Sequence, residues 1–152
     1  MSIIRVDSKA TFKIISQYDS ALINETEEEM AQLKAEGKQT RYEDYLDNLD
    51  ESKLQLKEGD KPTYFVVRCL KNTELAEIHQ KHMVVDPVAK TSQARNASLM
   101  MLDHFKIGCL GIQNEDGTIQ KLDADDVGFG VALSIGVAIS TFTSLGKNLK
   151  NA

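Results

Sequence analysis

The chain has 152 residues, 41% apolar and 27% charged, which suits one globular domain with its own core and excludes collagen-like, disulfide-scaffold and disordered classes. Four arginines and a net charge of −5 exclude a general nucleic-acid binder, which needs a basic stripe to neutralise phosphates. Residues 1–60 carry 14 acidic against 8 basic side chains and residues 61–152 carry 9 against 10, so a single domain over 1–152 is expected to have an acidic helical front and a neutral α+β body. A split of this kind suits a basic partner or head-to-tail self-association.

The opening MSIIRVDSKA lacks the apolar stretch and small-residue cleavage site of a secretory signal. Cys69 and Cys109 are not spaced as a metal or redox pair, so buried, reduced thiols in a cytoplasmic protein are expected. Residues 10–16 (ATFKIIS) predict a strand from their β-branched and aromatic residues. Thr26-Glu27-Glu28-Glu29 has the form of a capping box and opens a helix that Gly37 ends. Thr40-Arg41-Tyr42-Glu43 repeats the device. Behind it Tyr42, Tyr45, Leu46 and Leu49 fall at i, i+3, i+4 and i+7, one apolar stripe on an acidic helix that must pack on the body or on another subunit.

Leu54 and Leu56 alternate with polar residues ahead of the turn signal Glu58-Gly59-Asp60-Lys61-Pro62, and with the strong strand pattern of residues 63–70 (TYFVVRCL) they predict a hairpin. Asn72 is expected to cap a helix to about Lys81. Residues 83–90, containing Pro87, predict a loop, and residues 91–106 a helix with Ala94, Ala97, Met101 and Phe105 on one face. Asn114-Glu115-Asp116-Gly117 reads as the turn of a second hairpin. The uncharged run 127–145 (VGFGVALSIGVAISTFTSL) has the length to cross a bilayer, but its five Ser/Thr and the acids Asp123, Asp125 and Asp126 at its start favour a helix buried in the core or an oligomer interface, from about Asp125 to Leu145. The expected class is α+β, with small antiparallel hairpins packed against four to five helices and a long apolar C-terminal helix.

Catalytic and metal chemistry find little footing. His79 and His82 stand at i and i+3, with His104 and Asp103 further on, but no thiolate or carboxylate lies at a motif-like distance, and cationic side chains at a helix C-terminus are the simpler reading. The run Asp123 to Gly128 opens like a calcium loop but has Val127 at a ligand position and Ser134 where a bidentate Glu belongs. The glycine pairs do not make a phosphate loop, and no Gly-x-Ser-x-Gly elbow occurs. No catalytic residue, metal ligand or cofactor is expected.

Residues 61–75, KPTYFVVRCLKNTEL, resemble a pattern in small structural and assembly proteins of tailed bacteriophages: a Pro-Thr turn, an aromatic and Val-rich strand with an Arg, and a polar helix start with Glu. Gly108-Cys109-Leu110-Gly111-Ile112 before a polar hairpin, and a C-terminal helix ending Ser144-Leu145-Gly146-Lys147-Asn148, follow in the same order. The resemblance implies a non-enzymatic subunit of the head, neck or tail, or a tail-assembly chaperone absent from the finished particle. It implies as partners other copies of the chain or other virion proteins, in a homo-oligomeric assembly, in the virion or the host cytoplasm. With the residue pattern it makes Tyr42, Tyr45, Leu46, Leu49, Tyr64 and Val66 the expected contact surface. A small membrane-associated protein anchored by residues 127–145 is the alternative.

Overall fold

The computed structural model describes residues 9–145. Four antiparallel strands form the main sheet: β1 (Thr11–Ile15), β2 (Tyr64–Arg68), β5 (Cys109–Gln113) and β6 (Ile119–Gln120), in the order β1-β2-β5-β6. A separate two-stranded ribbon joins β3 (Met83–Asp86) to β4 (Thr91–Ala94). The helices are α1 (Glu27–Ala35), α2 (Arg41–Asn48), α3 (Asn72–His82), α4 (Ala97–Gly108) and α5 (Phe129–Ser144). The α+β class expected from the sequence is therefore the class observed.

Side-chain alternation splits the sheet into two faces. Phe12 and Ile14 of β1 pair with Val67 and Phe65 of β2, and all four point into the main core. There Phe142 of α5 stacks on Phe12 with ring centroids 5.0 Å apart, and Phe105 of α4 meets Phe65 edge-on at 6.4 Å. Ile135, Ala138 and Ile139 of α5 fill the rest. The crossing of α4 and α5 is so close that a β-carbon at Gly136 would overlap the Met101 carbonyl oxygen, and only glycine fits. On the opposite face Ile15 gathers Leu22, Tyr45 and the half-buried Tyr64 into a smaller cluster. β2 is central and buries Phe65, Val66 and Val67 in succession. A bulge between Val66 and Val67 is absorbed opposite by Gly111, whose φ of +145° disfavours any other residue.

Several local expectations change. The Thr40 cap is complete, since Glu43 N–H donates to Thr40 Oγ1 at 3.2 Å and Thr40 N–H to the Glu43 carboxylate at 3.3 Å. At Thr26 only the hydroxyl half forms, accepting from Glu29 N–H at 3.2 Å, because the Glu29 carboxylate turns to Arg41 instead. Leu54 and Leu56 do not form a hairpin with β2. Leu56 bridges Leu22, with Ile23 N–H donating to Gln55 O and Lys57 N–H to Ala21 O, and β2 takes β1 and β5 as neighbours. Non-local partners won because they bury both faces of β2. Asn72 is the first residue of α3, not its cap: Glu74 reaches back to accept from Lys71 N–H at 2.8 Å. The loop expected over 83–90 and the helix start expected at 91 are the β3–β4 hairpin. Its turn is tied by Asp86 Oδ1, which accepts from Val88 and Ala89 N–H, and Asn96 then caps α4 by accepting from Leu99 N–H.

The C-terminal helix is shorter than expected, since residues 124–126 form a 3₁₀ turn ahead of it. Among the described residues no helix is long and apolar enough to cross a membrane. Two of the five hydroxyls that argued against a span have partners in the body: Ser134 Oγ lies 2.7 Å from Ser16 Oγ, and Thr143 Oγ1 accepts from Leu70 N–H at 3.1 Å. Gly146, Lys147 and Asn148 lie outside the described residues.

Candidate interaction surface

The tyrosine stripe of α2 packs inward. Tyr45 is 1% exposed and its phenol accepts from Ile15 N–H at 3.1 Å, while Tyr42 Oη donates to Ile15 O at 2.7 Å. Two phenols thus satisfy both backbone groups at the end of β1, where the ladder stops and orphan groups would otherwise be buried. Burial pushes both phenols well above the ordinary tyrosine range. Leu46 and Leu49 pack against the main core, and Val66 is buried in β2. The expected contact surface is corrected accordingly. Tyr45 and Val66 belong to the interior, because one face of an eight-residue helix beside an open sheet end gains most by covering that end. Tyr64 stays half-exposed beneath Lys13, whose Nζ sits 4.7 Å from the ring centroid, and burial together with Glu51 pushes its phenol up to about 12.

The histidines do not converge on a metal. His82 is buried and its Nε2 lies 2.6 Å from Asp103 Oδ2, which also takes Lys81 Nζ at 3.0 Å. Burial pushes the Asp103 carboxyl up, but the hydrogen bonds from His82 and Lys81 outweigh it and hold the group below its usual range. His104 is buried on the same helix with Nδ1 2.8 Å from Met100 O; burial lowers its pKa, against the pull of that carbonyl. His79 is exposed. Lys81 and His82 with Asp103 clamp the end of α3 to α4, and among the described residues no group of three metal-ligating side chains comes together.

The remaining charged and nucleophilic groups are structural in placement. Arg68 at the end of β2 grips Glu74 in α3 with two 2.8 Å hydrogen bonds, and this fork holds Glu74 down at about 2. Cys69 is buried. Burial pushes the half-buried Cys109 thiol up to about 11, so it remains a protonated thiol near neutral pH.

Three features are left facing outward. Along α5, a groove of about 240 Å³ is lined by Tyr18, Tyr42, Leu46, Leu133, Val137 and Thr141, with the Tyr18 ring over Gly130; here Tyr42 and Leu46 of the stripe keep an edge at the surface. A second is the β3–β4 ribbon, with Val84, Val85 and Val88 exposed around its turn. The third is the α1–α2 lobe. None of the nine residues of α1 is buried, and Met30 is 48% exposed. Two charged contacts from Arg41 tie the lobe together: its side chain reaches Glu29 at 3.4 Å and Glu25, itself buried, at 3.5 Å. The apolar run Met83-Val84-Val85 before the turn residues Asp86-Pro87 was the signal for the ribbon, weakened by the polar run Thr91-Ser92-Gln93 on its return side.

No protein-family model matches the chain, no curated protein matches it, and no solved structure matches it.

Proposed function

We propose that the protein is a non-enzymatic structural or assembly subunit of a tailed bacteriophage that works through protein–protein contacts. The observation that carries the contact role is α1. A nine-residue helix with no buried side chain is too short to be stable in water by propensity alone, so it gains from a covering surface that the other described residues do not supply. The exposed valines of the ribbon and the groove along α5 support the same reading, since apolar side chains grouped at a surface mark contact sites. The placement in a phage head, neck or tail rests on the resemblance of residues 61–75 and of the elements that follow them.

Mass spectrometry of purified particles and of their precursors tests the reading. A virion subunit is found in the finished particle at a fixed copy number. A tail-assembly chaperone is found with tail precursors and not in the particle. Absence from both would overturn the proposal.

A further inference from the structure

Two of the outward features complement each other in charge. Residues 81–95, the ribbon and its flanks, carry three basic side chains and one acid, Asp86, whose carboxylate is occupied by the turn's own N–H groups. Lys90 and Arg95 are exposed and enter no salt bridge among the described residues, and beside them Val85 is 68% and Val88 92% exposed. Residues 25–51, which contain α1 and α2, carry ten acidic against three basic side chains. Between these helices opens a cleft of about 300 Å³ lined by Leu33, by the acids Glu25, Glu29, Glu36 and Asp44, and by Lys38, which pairs with Glu36 at 3.0 Å, and Arg41, which reaches Glu25 and Glu29. Four acids against two bases leave the rim net acidic, Asp44 enters no salt bridge among the described residues, and Leu33 supplies an apolar patch.

We infer that the β3–β4 arm of one copy docks on the α1–α2 cleft of the next, joining copies head to tail. The valines at the tip cover Leu33, and Lys90 and Arg95 meet the rim at Asp44 and beside the Glu36–Lys38 pair. Each member supplies what the other lacks: the base of the ribbon packs on the core through Met83 and Ala94 while Val85 and Val88 stay exposed, and no residue of α1 is buried. Opposite charge brings the patches together and fixes their register, while apolar contact supplies the burial. Because the two patches differ, the contact leaves an unused arm at one end and an unused cleft at the other, and it propagates into a ring or a filament. The inference deepens the assembly reading above and rests on it.

Sedimentation velocity of the full chain at rising concentration tests it with two surface variants, Glu36→Lys/Asp44→Lys in the cleft and Lys90→Glu/Arg95→Glu in the arm. The unaltered protein is expected to self-associate, and raising NaCl from about 50 mM to about 0.5 M to weaken this at least about tenfold. Each variant alone is expected to be monomeric with an unchanged far-ultraviolet dichroism spectrum. An equimolar mixture should regain self-association, because the intact arm of the cleft variant meets the intact cleft of the arm variant and the reversed arm of the second complements the reversed cleft of the first. A strictly monomeric unaltered protein, self-association that survives both pairs of reversals, or a mixture that stays monomeric would each overturn the inference. Such a failure is separable from failure of the assembly reading, since a monomer detected in purified particles would still be a virion component held by another protein.

Discussion

Helices α1 and α5 reach the same secondary structure by opposite routes. α5 carries no charge and is held by what it touches: Ile135, Ala138, Ile139 and Phe142 are buried against the sheet and α4, and Ser134 and Thr143 hydrogen-bond to the body. α1 buries nothing and is held by a hydroxyl cap, three acids in its first turn, Lys34 in its last and the contact of Arg41 with Glu29. Tertiary burial produces an element that is fixed in place. Local capping produces one that remains free for another surface, which is what a contact lobe requires.

The widest break in this contrast should come at Gly136. A side chain there meets backbone that cannot give way, so Gly136→Val is expected to cost about 3 kcal/mol or more and to lower the midpoint of denaturant unfolding sharply. Next is the junction between lobe and body. Tyr45→Phe keeps the packing but leaves the buried Ile15 N–H without its acceptor, an expected loss of about 2 kcal/mol by the same measurement.

Glu74 offers a pH test within the body. Its carboxyl is held at about 2 against an ordinary 4.5, so the Arg68 pair stabilises the fold above about pH 4.5 and its contribution is lost as pH falls toward 2. Glu74→Gln should cost about 1.5 kcal/mol near neutral pH and flatten the stability profile over that acid window; an unchanged slope would show the pair contributes nothing. The smallest effect belongs to α1 itself. Thr26→Ala is expected to cost the helix about 1 kcal/mol, read as faster amide hydrogen exchange in residues 27–35 with an unmoved global unfolding midpoint. A shift of the global midpoint would mean that α1 is coupled to the core after all.

Where an element's cause was local, it was legible in the residues. The complete capping box at Thr40, the turn at Asn114 to Gly117, the strand patterns over β1 and β2, and the positive-φ stop at Gly37 follow from one or two neighbouring side chains and the backbone groups they satisfy. The β3–β4 ribbon was hidden because the polar stretch Thr91-Ser92-Gln93 has no apolar alternation, and it becomes a strand only by pairing with Met83 to Asp86. Leu54 and Leu56 misled for the complementary reason: their alternation is real, but the bridge to Leu22 lies more than thirty residues back in the chain. As for the contact surface, the stripe of Tyr42 and Tyr45 was visible as a stripe, while its destination was not.

Taken alone, the sequence determined the class, the hydroxyl caps at Thr26 and Thr40, most strand positions and the division between an acidic front and a neutral body, because these depend on residue type and on neighbours within a turn or two. Only the tertiary structure decided which apolar faces are spent. The sheet end at Ile15 claimed Tyr42 and Tyr45 through two hydrogen bonds, and β2 buried Val66 between its neighbours, which left α1, the ribbon valines and the α5 groove at the surface. The reason is physical: an amphipathic pattern states that a face must be covered, and the choice of cover is set by competition among all the surfaces the folded chain brings within reach.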